Sequence, residues 1–126
     1  MAKRVWRWCA PVLAAGLLLA PPLGASPTAL PSTQIVAGMT GICKTVILGT
    51  TISEFHVTVL GVLRNAGPAG DLVLFRASGP VIQATGGLAS GMSGSPVYLG
   101  GKLAGAFSYS FQFADPMVGL DRKSVV

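Results

Sequence analysis

The chain contains few of the residues from which acid–base and metal sites are built. Its 126 residues include a single histidine and only four aspartates and glutamates. Protein metal centres draw on histidine, cysteine and carboxylate ligands at short, regular spacings, whereas these residues are scattered along the chain. We therefore expect no metal and no other cofactor. The basic residues form no stripe with interleaved aromatics, so nucleic acid is not an expected partner.

The chain also lacks long apolar stretches, and its most apolar segment is a short one near the N-terminus. Three basic residues precede an apolar stretch at 12–20, which is followed by prolines and small residues. This stretch is shorter than the roughly 20 residues that cross a bilayer, and the three-part order is that of a secretory signal. We predict a signal peptide over 1–25, cleaved near Ala25, with an uncleaved amphipathic anchor as the alternative. The protein is then exported to the periplasm, the cell envelope or the extracellular space, and it contacts the membrane transiently through the signal.

Loss of this segment changes both the charge and the cysteine content. It removes three of the nine basic residues and none of the acidic ones, which lowers the formal net charge from +5 to +2. It also removes Cys9, one of the two cysteines, so Cys43 has no partner for an internal disulfide. We expect Cys43 to be a small buried apolar side chain.

Period-two alternation indicates an all-β fold for the rest of the chain. In 52–63, apolar residues alternate with polar ones, as in a strand that is buried on one face. The apolar face holds Phe55, Val57 and Val59. A turn is predicted at 64–70, a strand at 71–75 and an edge strand at 81–83. No segment after the signal has a convincing helical period, which favours the all-β class.

Glycine pairs and composition set the remaining boundaries. Gly100 and Gly101 predict a type I′ hairpin between 97–99 and 102–109, because both central positions of that turn need positive φ. The stretch 26–36 is rich in proline, serine and threonine and is predicted to be a linker. The folded domain is then expected to cover 37–120.

The hexapeptide Gly91-Met92-Ser93-Gly94-Ser95-Pro96 places a serine between two glycines. A nucleophilic serine needs an exposed hydroxyl on a tight turn, and backbone N–H groups that face the oxygen on which negative charge develops. Glycine permits such a turn because it adopts positive φ and lets a substrate approach the backbone. Ser93 is therefore the candidate nucleophile, and the N–H groups of Gly91 and Ser93 form the candidate oxyanion hole. We expect Ser95 to have a structural role and Met92 to pack beneath the loop.

This hexapeptide and its surroundings resemble the SpoIVB peptidase family, whose nucleophile lies in a Gly-Met-Ser-Gly-Ser-Pro motif. The similarity extends over roughly 38–120 and includes Gly79-Pro80 upstream and Gly100-Gly101 downstream. It implies a serine peptidase with a chymotrypsin-like β-barrel fold, a peptide or protein substrate, and Ser93 at the nucleophile position. Since about 100 residues remain after the signal, which is few for a two-barrel peptidase, we expect an incomplete barrel domain.

The partners of the serine are harder to place. A serine nucleophile needs a base, usually a histidine oriented by a carboxylate. His56 is the candidate base, although alternation turns it to the outer, solvent-facing side of its strand. The family carries its base in a Gly-His pair, which this chain lacks, and an aspartate fifteen residues before the serine, where this chain has Ser78. Asp71 is the candidate carboxylate, but Asp71 and Asp115 are both expected first to satisfy turn backbones.

Near its end the chain departs from the family pattern. We interpret 121–126 as an atypical tail, which suggests a truncated or spurious end. The leading hypothesis is an exported serine endopeptidase domain that uses the Ser93 loop. The alternative is a catalytically inactive β domain that binds peptide or a cell-envelope partner through the same groove, and the missing Gly-His pair favours it.

Overall fold

Alternation along the strands produces a barrel with an apolar interior. The computed structural model describes residues 26–68, 70–110 and 115–122. Within them, six antiparallel strands close into a barrel in the order β1-β2-β3-β6-β5-β4, and β4 pairs back onto β1. The strands are β1 (Thr40–Val46), β2 (Ile52–Gly67), β3 (Gly70–Ser78), β4 (Pro96–Leu99), β5 (Lys102–Ser110) and β6 (Val118–Arg122). The all-β, chymotrypsin-like class expected from the sequence is confirmed, and one barrel closes with these strands.

The strand predicted at 52–63 has the predicted faces. Phe55, Val57 and Val59 are buried in the barrel, whereas Glu54 and His56 are exposed. Phe75 of β3 and Phe107 of β5 meet inside with their ring centroids 5.9 Å apart in an edge-to-face arrangement, a favoured geometry for aromatic pairs. The core therefore lies inside the barrel, and the outer faces of the strands are left to form the site.

The barrel closes where β1 and β4 approach each other closely. A Cβ at Gly41 would clash with the backbone carbonyl oxygen of Tyr98. Glycine is therefore needed at this point for the register that pairs Gly41 with Leu99 and Ile42 with Tyr98. Because β1 and β4 are paired, the outer face of β1 lies next to the segment that precedes β4.

The predicted hairpin at Gly100-Gly101 is confirmed. Both residues have positive φ, 55° and 77°, and Leu99 pairs with Lys102 across the two-residue connection. The turn predicted at 64–70 is shorter than expected, because β2 continues to Gly67 and β3 begins at Gly70. The register shifts between Leu63 and Gly67, so the extra residues form an irregular end of the hairpin.

The edge strand predicted at 81–83 is wrong, because these residues lie in a short helix, α1 (Pro80–Thr85). Pro80 fits the first turn of a helix, where its missing N–H costs no hydrogen bond. Gly86 ends the helix in the left-handed conformation, with φ 71°. Ile82 is fully buried and Val81 is half-buried against the core, so these two apolar side chains hold the helix to the barrel.

The segment predicted to be a linker packs on the barrel. Leu30 and Ile35 are buried in the core. Backbone hydrogen bonds join this segment to β5, from the Leu30 N–H to the Leu103 carbonyl at 2.8 Å and from the Leu103 N–H to the Thr28 carbonyl at 3.0 Å. The packed part of the chain therefore begins before residue 37, because the apolar side chains of Leu30 and Ile35 pack against the barrel.

The predicted tail is also partly within the fold. Asp121 and Arg122 belong to β6, which lies between β3 and β5, whereas 123–126 and the predicted signal peptide at 1–25 lie outside the described residues. Across the described ranges, none of the helices has the length and hydrophobicity required to span a membrane.

Candidate active site

Ser93 lies at the end of a single 3₁₀ turn, Ser90–Met92, between α1 and β4. Ser93 itself is exposed, and Met92 before it is buried at 1% exposure. The methionine therefore packs beneath the loop, as predicted, while the serine hydroxyl stays at the surface. Gly94 follows with φ 87°, a conformation that favours glycine and turns the chain back towards β4.

Hydrogen bonds fix the loop to the barrel on the C-terminal side of the serine. The Gly94 N–H donates to the Phe107 carbonyl at 2.6 Å, and the Phe107 N–H donates to the Ser95 carbonyl at 2.9 Å. The Ser95 hydroxyl donates to the Thr45 hydroxyl of β1 at 2.9 Å. Ser95 thus has the structural role expected for it, with a side-chain partner in place of the backbone.

Ser93 lines a groove of about 510 Å³ on the outer face of the barrel. Its walls come from the serine loop, the first residues of β4 and the adjoining ends of β1 and β2. The lining residues are Lys44, Thr45, Val46, Ile52, Gly91, Ser93, Gly94, Ser95, Pro96 and Tyr98. The wall opposite the loop is largely apolar, with Val46 and Ile52 both exposed.

Lys44 is a groove residue that no motif in the sequence indicates. Its Nζ lies 3.3 Å from Glu54 Oε1 and 5.7 Å from the centroid of the Tyr98 ring. Both contacts follow from strand register, because Lys44 pairs with Glu54 across β1 and β2, and Tyr98 lies on the neighbouring β4. The one available signal was alternation in β1, which turns Lys44 outward while Cys43 and Thr45 point inward.

His56 is placed away from this groove. It is exposed on β2 and pairs with Ile42 on one side and Ser78 on the other. Its ring lies near Gly79, at the start of α1, where a Cβ would be 3.7 Å from His56 Cδ2. His56 and Ser78, the latter at the position of the family's aspartate, are cross-strand neighbours. Neither residue lines the groove that Ser93 lines.

Asp71 and Asp115 both satisfy turns, as expected. The Asp71 carboxylate accepts the Asn65 N–H at 3.0 Å and pairs with Arg64 at 2.6 Å. Hydrogen bonds from the Ser32 side chain, the Asn65 backbone and Arg64 lower the pKa of Asp71 to about 2. Asp115 accepts the Met117 N–H at 2.9 Å and pairs with Arg76. Neither carboxylate lines the Ser93 groove.

Cys43 is buried inside the barrel with no exposed surface. Burial first, and the nearby Asp121 carboxylate second, raise the pKa of its thiol to about 12. A thiol in that environment stays protonated and is a poor nucleophile, in agreement with its expected role as a small apolar side chain. Among the residues that the structure describes, no three histidine, cysteine or carboxylate side chains are grouped as metal ligands.

The backbone at Ser93 has a specific arrangement of donors. The Met92 N–H donates to the Ala89 carbonyl at 3.0 Å, and the Ser93 N–H donates to the Ser90 carbonyl at 3.2 Å. One of the two N–H groups predicted to hold an oxyanion is therefore bonded within the loop in this conformation.

The closed barrel of six antiparallel strands is that of an all-β, chymotrypsin-like domain. The chain belongs to the SpoIVB peptidase family: the family model described as SpoIVB peptidase S55 matches residues 25–121. The match spans nearly all of the described barrel, from the packed N-terminal segment to β6. No curated protein and no solved structure matches the chain.

Proposed function

We propose that the protein is an exported serine endopeptidase in which Ser93 is the nucleophile. The observation that carries this proposal is the exposed Ser93 at the edge of a groove, on a loop that is fixed to β5 and β1 on its C-terminal side. A fixed loop holds the hydroxyl in one position relative to the groove. Such preorganisation is what nucleophilic catalysis needs.

The reaction follows from the chemistry of the hydroxyl. Ser93 Oγ attacks a peptide carbonyl, its proton passes to a base, and the carbonyl oxygen becomes an oxyanion. Collapse of this intermediate breaks the C–N bond, the amine leaves with a proton, and water then hydrolyses the acyl-enzyme. Lys44 is the basic side chain of the described residues that lines the groove, where it is paired with Glu54.

The groove suits an extended peptide with an apolar side chain near the scissile bond. Val46 and Ile52 face the groove with 45% and 67% of their surfaces exposed. Covering such surface gains about 25 cal/mol per Å². Tyr98 adds an aromatic surface on the same wall, next to Lys44.

The test is covalent labelling with a fluorophosphonate, which reacts with activated serines. We expect the protein to form one adduct, with Ser93→Ala abolishing it. Ser110→Ala is the matched control, because Ser110 is an exposed serine of β5 that does not line the groove, and it should label like the unmodified protein. Labelling that persists in Ser93→Ala would exclude Ser93 as the nucleophile.

A catalytically inactive β domain that binds peptide is the second candidate. It is favoured by one observation: His56 does not line the Ser93 groove. This function predicts peptide binding that is unchanged in Ser93→Ala, together with no phosphonate adduct on the unmodified protein. Fluorescence anisotropy with a labelled apolar peptide measures the peptide affinity. Ile52→Glu should weaken binding, because it places a charge on the apolar wall of the groove.

A further inference from the structure

Gly91 is a glycine that the observed conformation does not require. Its backbone lies outside the left-handed region, since it is not among the residues with positive φ. A Cβ built on it would meet no atom within 4 Å. Glycine in such a position costs conformational entropy relative to alanine, and a second conformation with positive φ at this residue would account for it.

The hydrogen bonds define what that second conformation is. Residues 89–92 form a turn closed by the Met92 N–H and the Ala89 carbonyl, with the Ser90–Gly91 peptide at its centre. Rotation of the central peptide by about half a turn converts a type I turn to type II and keeps the closing hydrogen bond. Type II requires positive φ at its third residue, which here is Gly91.

The same rotation changes which groups face Ser93. In the observed conformation the Ser90 carbonyl oxygen accepts the Ser93 N–H at 3.2 Å. After rotation that oxygen points away, and the Gly91 N–H takes its side of the peptide. Two N–H donors, from Gly91 and Ser93, then face the same point beside the Ser93 hydroxyl.

We infer that the Ser90–Gly91 peptide is a switch that assembles the oxyanion hole, and that the structure shows it in the closed position. This inference rests on the proposed function and adds the conformational step that precedes attack. In the closed position the Ser90 carbonyl occupies the place where the substrate oxygen would bind. In the open position, two donors stabilise the developing charge.

The surroundings of the turn allow this motion without disturbing the barrel. Ala89, Ser90 and Gly91 are exposed, whereas Met92 is buried and Gly94 is bonded to Phe107. The Ser90–Gly91 peptide is therefore exposed to solvent, and the buried Met92 side chain follows it in the chain. Rotation of one exposed peptide leaves both anchors of the loop in place.

The experiment compares Gly91→Ala with the D-alanine substitution at the same position, made by semisynthesis in the full chain. L-alanine fits the closed turn, because nothing lies within 4 Å of its Cβ, but it should make fluorophosphonate labelling about tenfold slower because an L side chain is disfavoured at positive φ. D-alanine favours positive φ and should label at least as fast as the unmodified protein. Gly61→Ala is the matched control, since Gly61 of β2 also has open space around its Cβ. Equal labelling of the L-alanine and unmodified proteins would overturn the switch.

A second readout does not depend on the reactivity of Ser93. In a protein with ¹⁵N-labelled serine, the Ser93 amide should have the shift and temperature coefficient of a hydrogen-bonded proton in Gly91→Ala, and those of a solvent-exposed proton in the D-alanine protein. Identical Ser93 amides in the two variants would overturn the switch. If the amides differ as expected but no variant labels, the switch stands and the peptidase proposal fails.

Discussion

At the scale of single residues, Asp121 is the least favourably placed side chain of the barrel. It is fully buried, and its cross-strand neighbours Val73 and Phe107 are apolar side chains of the interior. Neither carboxylate oxygen has a hydrogen-bond partner within the described ranges. Burial raises the pKa of Asp121 to about 7, and the nearby Ala106 N–H offsets only part of this. A buried carboxylate without partners destabilises a fold when it ionises.

This placement predicts a fold that is more stable at mildly acidic pH. The folded-state pKa of about 7 exceeds the ordinary value of 3.8, so between these values the native state retains a proton that the unfolded chain has lost. The free energy of unfolding should therefore fall as pH rises from about 4 to about 7, by roughly 4 kcal/mol, and then level off. Urea unfolding at pH 4.5, 5.5, 6.5 and 7.5 measures this slope.

Asp121→Asn is the control for that slope, since it keeps the shape of the side chain and removes its ionisation. The variant should have a nearly flat stability profile over the same range, because Asp71 and Asp115, whose pKa values are lowered, lose their charge only at lower pH. An unchanged slope in Asp121→Asn would show that another group titrates.

At the scale of elements, α1 depends on the residues that bound it. The helix has six residues and ends at Gly86 with φ 71°, and a Cβ there would meet no atom within 4 Å. Gly86→Ala should lower the free energy of unfolding by about 1–2 kcal/mol, entirely through backbone strain. Thermal unfolding by circular dichroism measures the change. Gly61→Ala, at ordinary φ, is expected to be neutral or slightly stabilising, and equal losses in both variants would contradict the strain argument.

Strands were predictable from the sequence because alternation records which face is buried. Phe55, Val57 and Val59 fall on the interior face as the period-two pattern required. The helix was not predictable from periodicity, since six residues make fewer than two turns. The residues at its two ends, Pro80 at the start and Gly86 after the last turn, are those expected at the ends of a helix. These end residues were better indicators of the structure at 81–83 than the apolar character of that stretch.

The site was predictable only where it is local in sequence. The serine loop is contained in one hexapeptide, so Ser93, Met92 and Gly94 could be assigned from it. Lys44 and Tyr98 reach the groove through the pairing of β1 with β4, and pairing register is not evident in a single sequence. The predicted linker was misjudged for a similar reason, because Leu30 and Ile35 are buried by strands that are distant along the chain.

At the scale of the whole molecule, export is the prediction with the simplest test. Signal peptidase should cleave near Ala25, which leaves a mature chain that begins at about Ser26 and carries a formal net charge of +2. N-terminal sequencing of protein recovered from the culture fluid or the periplasm measures the cleavage point. Recovery of an intact N-terminus beginning at Met1 from a membrane fraction would favour the uncleaved anchor.

The central claim concerns one hydroxyl in a barrel domain of the SpoIVB peptidase family. The most direct test is residue-level mapping of a fluorophosphonate adduct by tandem mass spectrometry. The phosphonate should be found on Ser93 and absent from Ser95, whose hydroxyl is bonded to Thr45. An adduct on a different serine, or no adduct under conditions that label other serine hydrolases, would contradict the assignment of Ser93 as the nucleophile.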